Sequence, residues 1–390
     1  MKKLLLITSL FPVYKGQTRT KISYALFNLA KEWGKYVNVK VITPMPFYYC
    51  ILDRKLIFAK TKIDDVDNYF FYYLKLPKTT MQFFSKKTIQ KIVKELDAEK
   101  YYPDVVISHI YNSFELAYKI SDFYNSKFVL GIHQTDLHYL KKKGNKEKLR
   151  KYYAKAYKIA CRSYPIYKKL SEIYPEYKEK MFIANFGISA EKIENKEFFF
   201  EKARKLAEKK EKIFITVASF RKLKNIDINI KALADFKDRE WKYILIGDGP
   251  ERKKIEKIVK KLKIEDRVIF KGYLENKLAL EALKGSQIFV MVSAPETFGI
   301  AYLEAMAKAN IVIGTKGWGI DGIIKNEYNG FLVEPRDIED LKRVLNRIFE
   351  MDHQEAQRIL GNVWDTITQY TEEKVAMNEL GYIYSGDVFD

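Results

Sequence analysis

Cysteine is almost missing from this sequence. Among 390 residues only Cys50 and Cys161 occur, and neither belongs to a C-x-x-C spacing or a histidine-rich cluster. A disulfide framework and a structural zinc site are therefore not expected. Long apolar runs are lacking too. No stretch approaches the roughly 18 consecutive apolar residues needed to span a bilayer, so the chain reads as soluble or surface-associated. No local motif signals a Ser-His-Asp or Cys-His nucleophile, and no recognised nucleic-acid motif is present. Acids are the scarcer sign of charge, 50 Asp and Glu against 70 Lys and Arg, which leaves a formal charge of +20.

What is present points to packed domains. An apolar content of 47%, with 15% aromatic residues, excludes disorder by composition. A length of 390 residues implies two domains of roughly 150 to 200 residues each. The opening "MKKLLLITSLFPVYKG" places two lysines before an apolar run, as a signal peptide does. It ends in Phe-Pro without a small-x-small cleavage site, and it reads as a first buried strand. The basic excess is densest at residues 141–158, "KKKGNKEKLRKYYAKAYK", with nine Lys or Arg against the single Glu147. Three readings fit it: a solvated helix face, an anionic membrane surface suggested by the interleaved tyrosines, or nucleic acid.

Short apolar strands alternate with helical patterns along the whole chain. In the first half the strands are expected at 3–8, 37–42, 104–108, 127–132 and 181–184. In the second half they are expected at 213–219, 243–247, 267–270, 288–293 and 311–315. Helices follow Pro250, with Ile255, Ile258, Val259 and Leu262 on one face, and Pro335, with Ile338, Leu341, Leu345 and Ile348. This alternation predicts two doubly wound parallel sheets, α/β throughout. The expected division is 1–190, 191–365 and a crossing segment 366–390, with the charged, strand-poor stretch 189–211 at the join. Such sheets bind ligands at the carboxyl ends of their strands.

The stretch "SAPETFGIAYLEAMAKAN" at 293–310 carries Glu296 and Glu304 eight positions apart. Glu296 is expected in a strand-to-helix turn. With the helix starting near Thr297, the free N–H groups of Thr297, Phe298 and Gly299 favour an anion, and Gly299 admits a ligand close to the backbone. Glu304 then lies roughly 10 to 12 Å along the axis, a separation that suits a sugar ring and the ribose of an attached nucleotide. The plainer alternative makes Glu296 a first-turn acid and Glu304 the partner of a buried base. From these residues alone the two stand level.

With "EYNGFLVEPRDIEDL" some thirty residues later, this stretch resembles the retaining glycosyltransferases of family 4, which have the two-domain GT-B architecture and an E-x7-E motif here. The resemblance covers most of the chain. It is strongest from "FITVASF" to "LVEPRD", through "IGDGPE" and "FKGYL", and it continues more weakly in "FPVYKGQTRTKISYALFNLAKEW", "GIHQTDL" and "NFGI". It implies that Glu296 binds donor-sugar hydroxyls and Glu304 the nucleotide ribose, while Lys224 in "SFRKLKNID" neutralises the diphosphate. Ser219 stands where the family has an arginine, so Arg221 is the substitute second cation. His133 is implied beside the donor sugar, Gly16 in the first phosphate-facing loop, and Leu274 in "FKGYL" at the nucleotide.

The resemblance further implies a hexosyl- or N-acetylhexosaminyl-transferase that needs no metal and no cofactor beyond its nucleotide-diphosphate sugar, UDP-linked in preference to GDP-linked. The acceptor would be a saccharide or lipid-linked acceptor of envelope, capsule or glycolipid synthesis. The place implied is cytoplasmic, extending to the inner face of the plasma membrane. A nucleotide-sugar 2-epimerase of the same architecture and a non-enzymatic basic surface-binding protein remain as alternatives. "GWGIDG" at 317–322 satisfies G-x-G-x-x-G, but the following "IIKNEYNG" is too short for a dinucleotide helix. "DVD" at 65–67, a conceivable metal pair, reads as a loop.

Overall fold

The computed structural model describes residues 1–14, 17, 22–46, 58–73 and 84–384. The chain divides into two compact units. One comprises Met1–Arg162, Ile166–Phe186 and Glu372–Asp390, and the other Ser163–Pro165 and Gly187–Thr371.

In the first unit β1 (Lys3–Thr8), α1 (Tyr24–Trp33), β2 (Asn38–Pro46), β3 (Phe58–Ile63), β4 (Val66–Tyr73) and α2 (Lys86–Ala98) are followed by β5 (Val105–His109) and α3 (Phe114–Tyr124). Then come β6 (Lys127–Ile132), α4 (Gln134–Leu140), α5 (Asn145–Lys155), β7 (Lys158–Cys161), α6 (Tyr164–Ile173) and β8 (Met181–Ile183). The strands form one sheet in the order β3-β4-β2-β1-β5-β6-β7-β8, parallel except for the β3–β4 hairpin. Leu4 to Ile7 of β1 and Val105 to Ile107 of β5 are wholly buried. That is why "KLLLIT" and "VVIS" read as unbroken apolar runs, since a central parallel strand is covered on both faces. The chain winds away from β1 on one side and from β5 on the other, so the switch point of this sheet lies between them.

The second unit contains α7 (Lys196–Glu208), β9 (Lys212–Val217), α8 (Ile226–Ala234), β10 (Trp241–Ile246), α9 (Arg252–Leu262), β11 (Val268–Gly272) and α10 (Asn276–Gly285). It continues through β12 (Ile288–Val290), α11 (Ile300–Ala307), β13 (Ile311–Thr315), β14 (Phe331–Val333), α12 (Ile338–Glu350) and α13 (His353–Ile367). Its six strands run parallel in the order β11-β10-β9-β12-β13-β14, with the switch point between β9 and β12. The last helix, α14 (Glu372–Tyr384), returns to the first unit and packs on α1. Asn28 of α1 donates to Glu372 at 2.8 Å there.

The strand-poor stretch 189–211 carries α7, capped by the Asn195 side chain and packed on α13 with Phe199 and Leu206 buried; its charges mark one face of a helix. Two expectations are corrected. Within 141–158, Tyr152 and Tyr153 belong to the core of the first unit. Two of the three tyrosines read as interfacial are therefore inward and Tyr157 is half-buried, and the face left outside is lysine-rich, with Lys141, Lys142, Lys143, Lys146, Lys148, Lys151 and Lys155 exposed. Val66 and Asp67 of "DVD" lie in β4 rather than in a loop, and the Asp67 carboxylate sits between Lys40 and Lys60, 3.6 Å from each.

Candidate functional site

The loops leaving β9 and β12 meet at the switch point of the second sheet. Ala294 N–H donates to Leu223 O at 2.9 Å, and Asn225 Nδ2 to Val292 O at 2.8 Å. These bonds stitch the two loops together and bring Lys224 Nζ within 2.5 Å of Glu296 Oε2, with only 16% and 15% of the two side chains exposed. Ser293 Oγ donates to the same carboxylate oxygen at 3.3 Å, and Thr297 N–H to the other at 3.1 Å. Ser293 is placed in turn by Tyr302, a buried phenol that donates to Met291 O at 2.5 Å and lies 3.2 Å from Ser293 Oγ. Burial and the Glu296 charge push that phenol far above its ordinary range, so it remains a neutral donor.

The helix after Glu296 starts later than the sequence suggests. Helix α11 begins at Ile300 with Gly299 as its N-cap, at φ +84°, so Thr297 and Phe298 lie in the turn before it. The Thr297 N–H is spent on Glu296, and the Phe298 side chain is buried. Glu304 therefore stands only about 6 to 8 Å along the axis from the start of the helix, not two turns beyond Glu296. Its Oε1 accepts from Asn276 Nδ2 at 2.7 Å, and Lys192 Nζ lies 3.8 Å away. Asn276 opens α10, two residues after Leu274, so Glu304 and the Leu274 segment are neighbours. Ser219 and Arg221 share the loop that carries Lys224, and both are exposed, whereas Phe220 between them is buried.

Sequence reasoning missed one wall of this site. Gly319 N–H donates to Glu296 O at 3.3 Å, and a Cβ at Gly319 would stand 2.7 Å from Glu296 Cγ and 2.8 Å from Phe298 O. Only glycine lets the backbone come that close while holding φ +40°. The glycine density of "GWGIDG" was the signal, and it serves contact with Glu296.

His133 lies in the first unit, at the end of β6 and the N-cap of α4. Its backbone N–H donates to Asp136 Oδ2 at 2.7 Å, and Tyr111 N–H to Oδ1 at 2.6 Å. His133 Nε2 is 2.9 Å from Nδ1 of the buried His109, a residue the sequence reading passed over one position beyond its expected strand. Burial, with the nearby Arg162 cation, holds the His133 imidazole down at about 3. Gly16 falls outside the described residues.

The clustered residues of the second unit lie within one matched segment. Residues 197–362 match the family model for glycosyl transferases group 1. Among curated proteins the chain is 35% identical over 169 residues to N-acetyl-alpha-D-glucosaminyl L-malate synthase of Bacillus anthracis, across 42% of this chain and 43% of that protein. It is 29% identical over 170 residues to alpha-monoglucosyldiacylglycerol synthase of Streptococcus pneumoniae, across 41% and 38%. Each match spans less than half of the relative's length. Among solved structures, Anabaena HepE in complex with UDP and glucose aligns over 99% of this chain and 100% of that one, with a TM-score of 0.70 at 17% identity. Sucrose-phosphate synthase from Thermosynechococcus elongatus aligns over 99% and 98%, with a TM-score of 0.71 at 17% identity. With two doubly wound parallel sheets and these likenesses, the fold is GT-B.

Proposed function

We propose that this chain is a retaining glycosyltransferase that moves a sugar from a nucleotide-diphosphate donor, UDP-linked in preference to GDP-linked, to a saccharide or lipid-linked acceptor. The observation that carries this reading is the Lys224–Glu296 pair at the switch point of the second sheet, inside the segment matching glycosyl transferases group 1. On donor binding the diphosphate takes Lys224 from Glu296, with Arg221 as the second cation, and Glu296 turns to the sugar hydroxyls. The bond from the anomeric carbon to the leaving phosphate oxygen breaks, and the bond to the acceptor oxygen forms on the same face. The acceptor's proton passes to the leaving phosphate, so neither a protein base nor a metal is required. Charge growing on that phosphate is stabilised by Lys224 and by the first N–H groups of α11.

The name of one relative, alpha-monoglucosyldiacylglycerol synthase, supports a lipid acceptor in glycolipid synthesis, while that of the other names a glycoside of malate, a small hydroxy acid. A thermal-shift panel of UDP-, GDP- and ADP-sugars, followed by mass analysis of products with and without acceptor, tests the reading. Full conversion of the donor to an epimer without any acceptor, or no stabilisation by any nucleotide, overturns it.

Glu304 gives an equilibrium test. In Glu304→Ala, affinity for the free nucleotide diphosphate and for the intact sugar donor is expected to fall alike, by on the order of 1 to 3 kcal/mol for a lost charged acceptor. Calorimetry with both ligands checks this. Unchanged nucleotide affinity returns Glu304 to the simpler role of tying α11 to Asn276.

Among the described residues no helix is long and apolar enough to cross a membrane. The lysine face of α5 and the turn before it supports peripheral docking on anionic lipid through charge rather than through aromatic insertion. Changing Lys141, Lys142, Lys143 and Lys148 to Glu should abolish flotation with phosphatidylserine vesicles, and salt near 1 M should do the same for the wild type, because screening then acts within about 3 Å. Flotation that survives both treatments removes the proposal.

A further inference from the structure

A line of buried polar groups in the first unit runs from α14 to His133. Arg162 and Glu379 are both fully buried; Arg162 Nη1 donates to Glu379 Oε2 at 2.9 Å, and Nη2 donates to Oε1. The same Nη2 lies 3.3 Å from His109 Nε2, while Nη1 also reaches Ala184 O at 3.3 Å. His109 Nδ1 then meets His133 Nε2 at 2.9 Å. Two backbone features hold His109 in this line. A Cβ at Gly131 on the neighbouring strand would stand 2.4 to 2.6 Å from three atoms of the His109 ring, so glycine there makes the ring's space. The next residue, Ile110, sits at φ +67°, a costly conformation for a β-branched residue.

We propose that Arg162 and His109 are positioning residues that fix the proton of His133, so that His133 presents an Nδ1–H donor and its Nε2 is closed to proton transfer. The use of that donor in catalysis rests on the glycosyl-transfer reading above; the proton arrangement itself does not.

The argument follows from what each group can donate. A guanidinium is donor-only, so the His109 Nε2 facing it accepts. In a neutral imidazole the other nitrogen then carries the hydrogen, and His109 Nδ1–H donates to His133 Nε2. That leaves the His133 hydrogen on Nδ1. Both rings are neutral, because burial and the Arg162 cation oppose a charge on either.

The reverse arrangement would suit the capping box at the start of α4, in which the His133 side chain is placed to accept from the Asp136 backbone N–H. That N–H already has His133 O at 3.0 Å and does not need the ring. Reversal would instead leave two buried donors, His109 Nε2–H and an Arg162 N–H, facing each other, whereas the proposed arrangement leaves one, the His133 Nδ1–H, for a ligand to satisfy. His133 thus offers one uncharged N–H, suited to a hydroxyl or phosphoryl oxygen, and is excluded as the base that deprotonates an acceptor.

With four histidines in the chain, the full-length protein labelled with 15N in the imidazole rings gives a readable spectrum. The exposed His138 and His353 are removed by His→Gln changes, and His133→Gln assigns the remaining pair. At pH 7 without ligand, both His109 and His133 should show a protonated Nδ1 and an unprotonated Nε2. A protonated Nε2 on His133 overturns the proposal.

In the double variant Arg162→Met/Glu379→Met the His133 tautomer should shift towards Nε2–H. Turnover should then fall about 10- to 100-fold, with nucleotide KM unchanged, whereas Arg162→Lys, which keeps a donor at His109, should retain the wild-type tautomer. A tautomer unmoved by the double change also overturns the relay, and if that variant does not fold, the wild-type spectrum still decides. Should the spectrum be as expected while no sugar is transferred, the proton arrangement stands and the glycosyl-transfer reading falls.

Discussion

Replacing Glu296 with alanine is expected to lower turnover by about 100- to 1,000-fold, the range for losing a group that positions or stabilises the reacting centre. Affinity for the free nucleotide diphosphate should stay at its wild-type value or rise. The reason lies in the pairing of Lys224: in the protein without donor its ammonium is held 2.5 Å from the Glu296 carboxylate, and a diphosphate must compete with that carboxylate. Removing the carboxylate frees the cation for phosphate while depriving the sugar of its acceptor. Steady-state kinetics with the donor and calorimetry with the bare nucleotide separate the two effects. A loss of nucleotide affinity equal to that in Glu304→Ala would show that Glu296 does not act on the sugar alone. A lowered melting temperature would mark it as a fold-stabilising acid, since its backbone oxygen also anchors Gly319.

The largest stability effect is expected at Glu379. Arg162 and Glu379 are 0% and 1% exposed, and removing one member of such a pair leaves an uncompensated buried charge, which costs about 3 to 5 kcal/mol. Glu379→Gln keeps the shape and removes the charge, so urea unfolding should show a loss of about that size. Arg162→Met/Glu379→Met should recover most of it, because apolar replacement of a whole buried pair is often neutral. A Glu379→Gln protein as stable as the wild type would mean that water or a carbonyl already solvates the guanidinium. Ala184 O and the Phe186 ring, 5.2 Å from the guanidinium carbon, are the nearest candidates for part of that role.

How much of this was legible in the sequence depended on the range of the interaction. Central strands such as β1, β5, β9 and β13 were readable because burial on both faces writes an unbroken apolar run. Strands β3, β4, β7 and β14 fall outside the expected strands: "FAKTKI" mixes lysines with small residues at an edge, β4 opens inside the acidic "DVD", "KIAC" of β7 starts at the end of the basic segment, and "FLV" is three residues long. The N-terminus of α11 was misplaced by three residues because its cap is Gly299 in a left-handed conformation, and no Ser, Thr, Asp or Asn stands there to announce it. Glu296 and Glu304 were singled out by their local spacing and Lys224 by the family resemblance, and the structure brings Glu296 to Lys224. The partners that place them, Ser293, Tyr302, Asn276 and Gly319, come from different turns and leave no local pattern. The His109–Arg162–Glu379 line was out of reach, because Arg162 and Glu379 are 217 residues apart and only the closed fold makes them neighbours.

The same separation bears on synthesis. Residues of α14 are the last described part of the first unit and follow the whole of the second one along the chain. A ribosome therefore emits Arg162 long before Glu379, and in that interval the arginine has no anion from α14 to enter the core with. Apart from Ser163–Pro165, the second unit is one unbroken stretch, Gly187–Thr371, and can close as soon as it emerges. Domains usually fold in the order of their synthesis; here completion is inverted, and the part made first is the part finished last. A chain halted after residue 371 would carry a closed second unit and a first unit open at the cation, which is the form that chaperones would be expected to hold.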